Sequence, residues 1–347
     1  MQYRIRPADV VQDRDTILRL WRQVFPFPES HPVKYDWCYG QTPQGAGRLY
    51  LLEYADQTQV IGVQGIVPRR WWVKGEVVGC GICADLVVDQ YHRSIGPALT
   101  LVRQVVEREQ QEKQACLLYG FPNQKSEALY RRAGYSKMGM INRYAKPLRL
   151  HIWLRRKGLA KPLASTLGKV FDLVNQIRLS LRLRRSMQYG KLVELSQFDA
   201  RFDELWSRVS KTAGPMAVRD SGFLQWRFGN NFAGQTRIMA LQAMDDSIDG
   251  YIVYIVRQNK LITVLDFLAS DNTTVLSVML GLFAREMYRQ GYHGIMLEFG
   301  GLADIAHCLQ KLGFSLRETQ PVYRVTELAG QQAEADALYL TSCDRDQ

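Results

Sequence analysis

The chain has 347 residues, 46% of them hydrophobic and 23% charged, with a formal net charge of +11. This length favours two domains, and the composition is that of a soluble globular protein. The longest apolar runs, such as ITVLDFLA, are much shorter than the ~20 residues that span a bilayer, and the N-terminus has no apolar signal segment, so we expect a cytoplasmic protein without a transmembrane helix.

The first third of the chain predicts a helix followed by strands. DTILRLWRQVF repeats apolar residues at helical spacing, from Ile17 to Phe25. In the following strand-forming stretch, Lys74-Gly75-Glu76 has the composition of a hairpin turn. The predicted order of elements is a helix, several strands, and then a further helix, strand and helix. This order indicates an α/β (α+β) fold with helices on both faces of a mixed sheet.

Cys80 and Cys83 form a C-x-x-C pair inside an apolar run, and four other cysteines are scattered along the chain. A zinc site usually needs a second pair of ligands, and the neighbouring sequence offers none. We therefore interpret the cysteines as buried thiols and expect no metal.

A corner follows the apolar strand ADLVVD, where Arg93-Ser94-Ile95-Gly96-Pro97-Ala98 leads into the helix PALTLVRQVVEREQQEK. A strand that ends in a small-residue turn at a helix N-terminus leaves amide groups unpaired and exposes the positive end of the helix dipole. Gly96 lets a ligand approach the backbone, and Arg93 adds charge. The corner therefore predicts a site for a pyrophosphate.

A basic segment separates the two halves of the chain. Between Lys146 and Arg185 there are eleven basic residues and one acidic residue, Asp172. Apolar residues recur there every three or four positions: Leu159, Leu163, Leu167, Val170, Val174, Ile177 and Leu181. This pattern indicates a basic amphipathic helix, which either lies on an anionic membrane surface through residues 155–185 or packs between the two domains.

The second half repeats the first. WCYGQTPQGAGRLYLLE, from Trp37, aligns with WRFGNNFAGQTRIMALQ, from Trp226, and ACLLYGFPNQKSEALYRRAGYS aligns with GIMLEFGGLADIAHCLQKLGFS. We interpret Trp37 and Trp226 as core residues. The repeat predicts two domains of similar topology.

The motif Arg93-x-x-Gly96-x-Ala98 resembles the acyl-CoA-binding motif of the GNAT superfamily of N-acyltransferases. YRIRPAD resembles a first strand of that family, and LYGFPNQKSEALYRRAGYSK resembles its closing strand and helix. The resemblance is strong over residues 3–145 and weak over 190–327. It implies a GNAT domain at 1–145, a basic linker at 146–189, a degenerate GNAT-like domain at 190–330 and a C-terminal tail at 331–347.

The resemblance also implies a donor, acetyl-CoA or a longer acyl-CoA, and the residues that hold it. The strand before the motif would offer backbone groups to the pantetheine and thioester, the corner would hold the pyrophosphate, and an asparagine would make a further contact. The residues assigned to the donor are Val87, Val88, Arg93, Ser94, Ile95, Gly96, Ala98 and Asn123.

Two residues are assigned to proton transfer. Tyr130 matches the family tyrosine that protonates the departing thiolate, and a phenol suits this role because it keeps its proton at neutral pH; the alternative is that its ring packs on the sheet. Asp85 is the candidate general base, on the strand face opposite Leu86 and Val88. The alternative for Asp85 is an ion pair with a neighbouring arginine.

At the equivalent corner, the second copy has Asn272, Val275 and Leu309 in place of Arg93, Gly96 and Tyr130. We therefore expect it to bind no CoA and to serve as a scaffold or as the acceptor half. Glu298, Arg219 and Asp220 either face a cleft between the domains or have structural roles.

These features predict an acyl-CoA-dependent N-acyltransferase that acts on a small-molecule, lipid, lipid-linked or cell-envelope amine, peripheral on the inner face of the membrane if the linker binds lipid. The net charge leaves open a tandem-GNAT enzyme that uses aminoacyl-tRNA as its donor, although the donor half of such enzymes usually lacks an intact pyrophosphate loop. A membrane-attached scaffold without activity is the non-enzyme alternative.

Overall fold

The computed structural model describes residues 3–40, 42–54, 59–113, 115–156, 166, 168, 170–174, 177, 189–229, 235–325 and 338–345. The first half contains strands β1 (Tyr3–Pro7), β2 (Arg48–Tyr54), β3 (Gln59–Val73), β4 (Glu76–Val88), β5 (Leu117–Gly120) and β6 (Ser136–Pro147). Its helices are α1 (Arg14–Arg22), α2 (His31–Tyr35), α3 (Ile95–Gln111), α4 (Glu127–Arg132) and α5 (Leu150–Arg156).

The second half follows the same order. Its strands are β7 (Lys191–Leu195), β8 (Met216–Ala217), β9 (Thr236–Gln242), β10 (Ile248–Val256), β11 (Leu261–Ala269), β12 (Gly294–Gly301), β13 (Ser315–Val325) and β14 (Tyr339–Thr341). Its helices are α6 (Ala200–Ser210), α7 (Ser221–Phe228), α8 (Thr274–Arg289) and α9 (Ala303–Lys311). The mixed α/β fold with two similar halves is confirmed.

Local sequence signals explain several of these elements. α1 buries the first part of the apolar stripe that predicts it, with Ile17 and Trp21 both fully buried. The helix ends at Arg22, before Val24, which is exposed. Lys74 and Gly75 form the turn between β3 and β4 with positive φ values of 50° and 92°, as a tight two-residue hairpin requires. Cys80 and Cys83 are buried in different core clusters, on opposite faces of β4, so the pair cannot share a ligand.

One hydrogen-bonded sheet runs through both halves, in the order β1-β2-β3-β4-β5-β13-β6-β12-β11-β10-β9-β7. The two copies exchange their last long strands. β13, from the second copy, pairs with β5 of the first, and β6, from the first copy, pairs with β12 of the second. β6 and β13 also pair with each other, antiparallel, at the centre of the sheet. Each copy therefore completes its sheet with a strand of the other.

The C-terminal part of the chain also belongs to this sheet. Of the proposed tail, residues 338–345 are described, and they contain β14. β14 pairs with β12 and with β8, and β8 pairs with the end of β3. The pairings β12–β14, β14–β8 and β8–β3 therefore form a second hydrogen-bonded connection between the two copies.

Trp37 and Trp226, which occupy equivalent positions of the repeat, contact each other between the copies. Their rings are stacked with centroids 4.8 Å apart, and each indole Nε1 donates to the main-chain oxygen of the other residue. Both are buried, as predicted. The stack fixes α7 of one copy against the short helical segment Asp36–Gly40, which follows α2, of the other.

Most of the basic linker, including Leu159, Leu163, Leu167, Leu181 and the arginines from 178 onward, lies outside the described residues. Of those described, the exposed apolar side chains are Val170, Phe171, Leu173, Val174 and Ile177. Within the described ranges, none of the helices combines the length and the apolar character that crossing a bilayer requires.

Candidate functional site

β4 separates from β5 at one end of the first copy. Their parallel pairing runs only as far as Ile82, which lies beside Tyr119. β4 continues to Val88 while β5 ends at Gly120, so beyond Ile82 the edge of β4 facing β5 has no pairing strand in the described part of the chain. Val87 and Val88 lie in this splayed stretch. Its unpaired backbone groups are donors and acceptors that a ligand can use.

A β-bulge bends β4 within the splay. The register with β3 shifts between Val63, which pairs with Val87, and Gly65, which pairs with Ala84. Asp85 lies in the bulge with φ at +53°, in the left-handed region that costs a non-glycine residue about 1–2 kcal/mol. A bulge redirects a side chain. Here the Asp85 carboxylate points toward α2.

The Asp85 carboxylate is buried and has two partners. Lys34 Nζ lies 2.5 Å from Oδ1, and the Tyr39 hydroxyl donates to Oδ2 at 2.7 Å. The Lys34 ammonium also lies 5.6 Å from the ring centroids of Trp21 and Phe25. Asp85 thus forms an ion pair, as the alternative interpretation predicts, but its partner is a lysine and not an arginine. The assignment of Asp85 as general base stays a prediction.

The corner after β4 leaves main-chain donors at the start of α3. The N-cap Ser94 makes no side-chain cap hydrogen bond, and the first-turn amides of Ile95 and Gly96 have no acceptor within the helix. A Cβ placed on Gly96 would meet only the Ser94 Oγ, at 3.9 Å. The backbone is therefore open here, at the positive end of a helix of 17 residues.

The turn that leads into this corner is held by Asp89. Its carboxylate accepts hydrogen bonds from the amide of Tyr91 and the side chain of Gln23, both at 3.0 Å. The residues assigned to the pyrophosphate follow and are exposed or half-buried: Arg93, Ser94, Ile95, Gly96 and Ala98. The structure thus brings these five residues together on an accessible surface.

Asn123 lies at the start of the turn before α4. Its Oδ1 accepts hydrogen bonds from the amides of Lys125 and Ser126, both at 3.0 Å. The side-chain oxygen therefore stabilises this turn. Asparagine is favoured at such a position because its side chain can accept hydrogen bonds from amides two and three residues on. A contact between the Asn123 amide nitrogen and a donor molecule stays a prediction.

Tyr130 projects from α4 toward the splay and is 6% exposed. Its ring centroid lies 4.6 Å from that of Tyr135 and 6.4 Å from that of Tyr323. A Cβ placed on Gly120 would lie 2.8 Å from the Tyr130 hydroxyl oxygen, so this phenol lies beside the last residue of β5. The Tyr130 ring therefore packs in the core while its hydroxyl lies at the base of the splay, so the two interpretations of this residue are compatible.

The equivalent corner of the second copy is occupied by the protein itself. Asp271 Oδ1 accepts hydrogen bonds from the amides of Thr273, Thr274 and Val275, at 3.1, 2.5 and 3.3 Å. Burial would raise the pKa of Asp271, but the Thr274 amide and its neighbours outweigh it, and the pKa is below its ordinary value. An ionised carboxylate thus covers the start of α8.

Residues 338–345 fill the splay of the second copy. β11 pairs with β12 only as far as Val264. Beyond that point β14 pairs with Phe299–Gly301 of β12, and the Tyr339 hydroxyl donates to the carbonyl oxygen of Phe267 on β11. The gap that lies open in the first copy therefore holds a strand in the second.

Arg219 fixes this strand through a buried ion network. Its Nη2 lies 2.7 Å from Asp344, and its Nε lies 3.2 Å from Asp266. Asp266 also accepts hydrogen bonds from Thr341 and Tyr251, at 2.6 and 2.7 Å. Burial would lower the pKa of Arg219, but the two carboxylates hold it well above its ordinary value. Arg219 thus has a structural role.

Asp220 has a structural role as well. It caps α7 by accepting from the Phe223 amide at 2.8 Å, and it pairs with Arg70 of the first copy at 2.6 Å. Neither Arg219 nor Asp220 lines the cavity next to Glu298.

Residues of both copies meet beside Phe121, which follows β5. The Arg345 guanidinium lies 5.5 Å from the Phe121 ring centroid and donates to Gln320 at 2.9 Å. Gln320 in turn donates to the carbonyl oxygen of Phe121 at 3.1 Å. The second copy therefore forms one wall of the space next to the splay of the first.

Glu298 faces a cleft, as one sequence interpretation predicts. It accepts hydrogen bonds from Arg143 and Arg345, both at 2.9 Å, and lines a cavity of about 540 Å³. Burial would raise the pKa of Glu298, but Arg345 and Arg143 outweigh it and lower the pKa. Neither arginine is near Glu298 in the sequence: the strand exchange brings Arg143 to it, and the pairing of β14 with β12 brings Arg345.

Residues 4–138 match the family model of the acetyltransferase (GNAT) domain. A search of curated proteins by sequence gave no match.

Solved structures share the fold over nearly the whole chain. A probable N-acyltransferase from Enterococcus faecalis is 12% identical, with 94% of this chain and 74% of that chain covered and a TM-score of 0.66. A GCN5-related N-acetyltransferase from Anabaena variabilis is 13% identical, covers 92% and 72%, and has a TM-score of 0.64. N-myristoyltransferase from Saccharomyces cerevisiae, with bound myristoyl-CoA, is 10% identical, covers 94% and 82%, and has a TM-score of 0.54. At these identities the similarity establishes the fold.

Proposed function

We propose that this chain, which belongs to the GNAT acyltransferases by its match over residues 4–138, transfers an acyl group from acyl-CoA to an amine. The first copy binds the acyl-CoA, and the amine is held between the two copies. The donor is acetyl-CoA or a longer acyl-CoA, and the myristoyl-CoA in the yeast relative is consistent with a long chain.

The main-chain donors at the start of α3 are assigned to the donor pyrophosphate. The amides of Ile95 and Gly96 lack acceptors within the helix, the space next to Gly96 is open, and Arg93 is exposed beside them. The splayed part of β4, with Val87 and Val88, is assigned to the pantetheine and thioester. These groups match what the donor needs, which is several N–H donors for an anion and a free strand edge for the amide groups of the pantetheine.

Two side chains are assigned to proton transfer. The amine nitrogen attacks the thioester carbonyl carbon, the new C–N bond forms and the C–S bond breaks. Asp85 takes the proton that the amine loses, directly or through water, and Tyr130 gives a proton to the thiolate that leaves. The position of the Tyr130 hydroxyl beside Gly120, at the base of the splay, supports this assignment.

The observation that carries the proposal is the difference between the two corners. In the second copy Asp271 covers the helix start and β14 fills the splay, whereas in the first copy the described residues leave both accessible. Donor binding is therefore expected once per chain.

Isothermal titration of the full chain with acetyl-CoA and myristoyl-CoA tests this stoichiometry, and mass spectrometry of a mixed amine pool detects the acylated product. We expect one site per chain and transfer to an amine. Two sites per chain would contradict the asymmetry, and no CoA binding together with transfer from aminoacyl-tRNA would favour the alternative donor.

The basic linker is assigned to an anionic membrane surface, which makes a lipid or lipid-linked amine the favoured acceptor. The exposure of Val170, Leu173 and Ile177, at 58, 60 and 52%, supports an apolar face available to lipid. Flotation with anionic liposomes tests it. Binding at low salt that is lost when Arg178, Arg182, Arg184 and Arg185 are neutralised together supports the assignment, and binding of tRNA without liposome binding contradicts it.

A further inference from the structure

The cavity next to Glu298 carries an excess of positive charge. Its lining includes Arg143, Arg257 and Arg345 together with one carboxylate, Glu298, and the hydroxyl of Ser342. At about 540 Å³ it has the size of a small-molecule site. Arg143 comes from β6 of the first copy, and the other four residues come from the second.

Most of these charges are already paired. Glu298 binds Arg143 and Arg345 and accepts from Ser342 at 3.1 Å, so both of its oxygens are engaged. Arg143 also donates to Glu318, at the rim, at 2.5 Å. Counting Glu318, the three arginines exceed the carboxylates by one charge.

The uncompensated charge belongs to Arg257. Arg257 is exposed at the end of β10, and among the described residues no carboxylate pairs with it. Arg345 contributes a second free donor, because its buried Nε has no hydrogen-bond partner in the described part of the chain. A guanidinium without a partner beside a polar cavity favours a carboxylate or a phosphate.

Arg345 links the cavity to the space beside Phe121. Arg345 lines the cavity on one side, and on the other it lies over Phe121, which follows β5. A ligand whose anionic group occupied the cavity would therefore extend past Phe121 toward the site assigned to the thioester.

We propose that this cavity binds the anionic group of the acyl acceptor, so that the acceptor is an amine that also carries a carboxylate or a phosphate. This rests on the proposed function. Arg257 is a specificity-determining residue, while Arg143 and Arg345 are positioned by Glu298.

Matched pairs of acceptors test the proposal on the full chain. One arm compares ω-amino acids with their amides, and the other compares aminoalkyl phosphates with the corresponding amino alcohols. We expect kcat/KM to be at least ~10-fold higher for the anionic member of one arm, which also identifies the anion. Arg257→Gln should remove most of that preference by raising KM, with kcat and acyl-CoA affinity unchanged. Arg289→Gln is the control, because this arginine is 73% exposed on α8 and does not line the cavity.

Equal rates for charged and neutral amines, or a preference that Arg257→Gln leaves intact, would overturn the proposal while the acyltransferase assignment stands. If no amine is acylated at all, the proposed function fails, and thermal melting with inorganic phosphate decides the anion site alone. A stabilisation by phosphate that is absent in Arg257→Gln would support the site, and no stabilisation of either protein would overturn it.

Discussion

α3 and α8 begin at equivalent corners of the two copies, but only the amides at the start of α8 have a side-chain acceptor among the described residues. Three amides at the start of α8 bind the carboxylate of Asp271, whereas Ser94 leaves those of α3 without a side-chain cap. The splay next to α8 holds β14, and the splay next to α3 is open in the described residues. In the second copy, parts of the chain itself thus occupy the positions that the first copy leaves accessible.

The polar cores of the two copies differ in the same way. In each copy a tyrosine hydroxyl donates a hydrogen bond to an aspartate carboxylate. Tyr39 donates to Asp85 and Tyr251 donates to Asp266, both at 2.7 Å. The cation in the second copy, Arg219, is fully buried, while the Lys34 side chain in the first is 16% exposed. The second network is therefore closed, and the first remains partly accessible beside the assigned donor site.

The largest effect is expected from breaking the closed network. Arg219→Leu leaves Asp266 and Asp344 buried without their cation, which should destabilise the protein by about 3–5 kcal/mol in urea unfolding. Lys34→Met should cost less, about 1–2 kcal/mol, because the Lys34 side of that pair is partly exposed to water and Tyr39 still donates to Asp85. Equal losses for the two variants would contradict the difference in burial.

Gly96→Asp would give α3 the carboxylate that α8 already has. The added charge occupies the amides assigned to the pyrophosphate, so acyl-CoA should bind at least ~100-fold more weakly, or about 2.7 kcal/mol. The melting temperature should not fall, since a Cβ fits here and an acidic residue in the first turn favours the helix. Asn272→Asp adds the same charge at the second corner and should leave acyl-CoA affinity unchanged; weaker binding in both variants would indicate a general charge effect.

Tyr130→Phe tests the hydroxyl beside Gly120. Turnover should fall ~100-fold, as for the loss of a positioned general acid, while acyl-CoA affinity stays the same. Tyr135→Phe is the matched control, because its hydroxyl lies 3.1 Å from the Cys83 Sγ within the core. Unchanged turnover in Tyr130→Phe would leave this ring a packing role only.

The smallest effect is expected at the second corner. Asp271→Asn keeps an acceptor oxygen at the start of α8 but removes its negative charge, so it should cost about 0.3–1 kcal/mol at pH 7. It should not create a second CoA site, since β14 still fills the splay. The pKa of Asp271 is lowered in the folded protein, so its stabilisation is present above the ordinary value near 4 and is lost as the pH falls below it. The two proteins should therefore converge in stability as the pH falls through the lowered pKa of Asp271, and a difference that acid leaves unchanged would contradict this origin.

Local patterns in the sequence were sufficient for α1, for the Lys74-Gly75 turn and for the corner at Gly96, because each depends on residues close together in the chain. The internal repeat also predicted two similar halves. The Asp271 contacts also have a local origin, since an aspartate side chain commonly accepts hydrogen bonds from the amides two and three residues on.

The strand exchange could not be predicted in this way. β6 and β13 have equivalent positions in the repeat, and either strand satisfies the alternation that pairing with β5 or β12 requires. Glu298 is 155 residues from Arg143 and 47 from Arg345. The first contact follows from the exchange, which pairs β6 with β12, and the second follows from the pairing of β14 with β12.

The exchange also sets the order in which the chain can fold during synthesis. β5 receives its second neighbour only when β13, at Ser315–Val325, has left the ribosome. At ~5–20 residues per second, the interval between the two strands lasts on the order of 10–40 s. Over that time β5 lacks its native second neighbour, and a strand edge without its partner is a template for pairing with another chain.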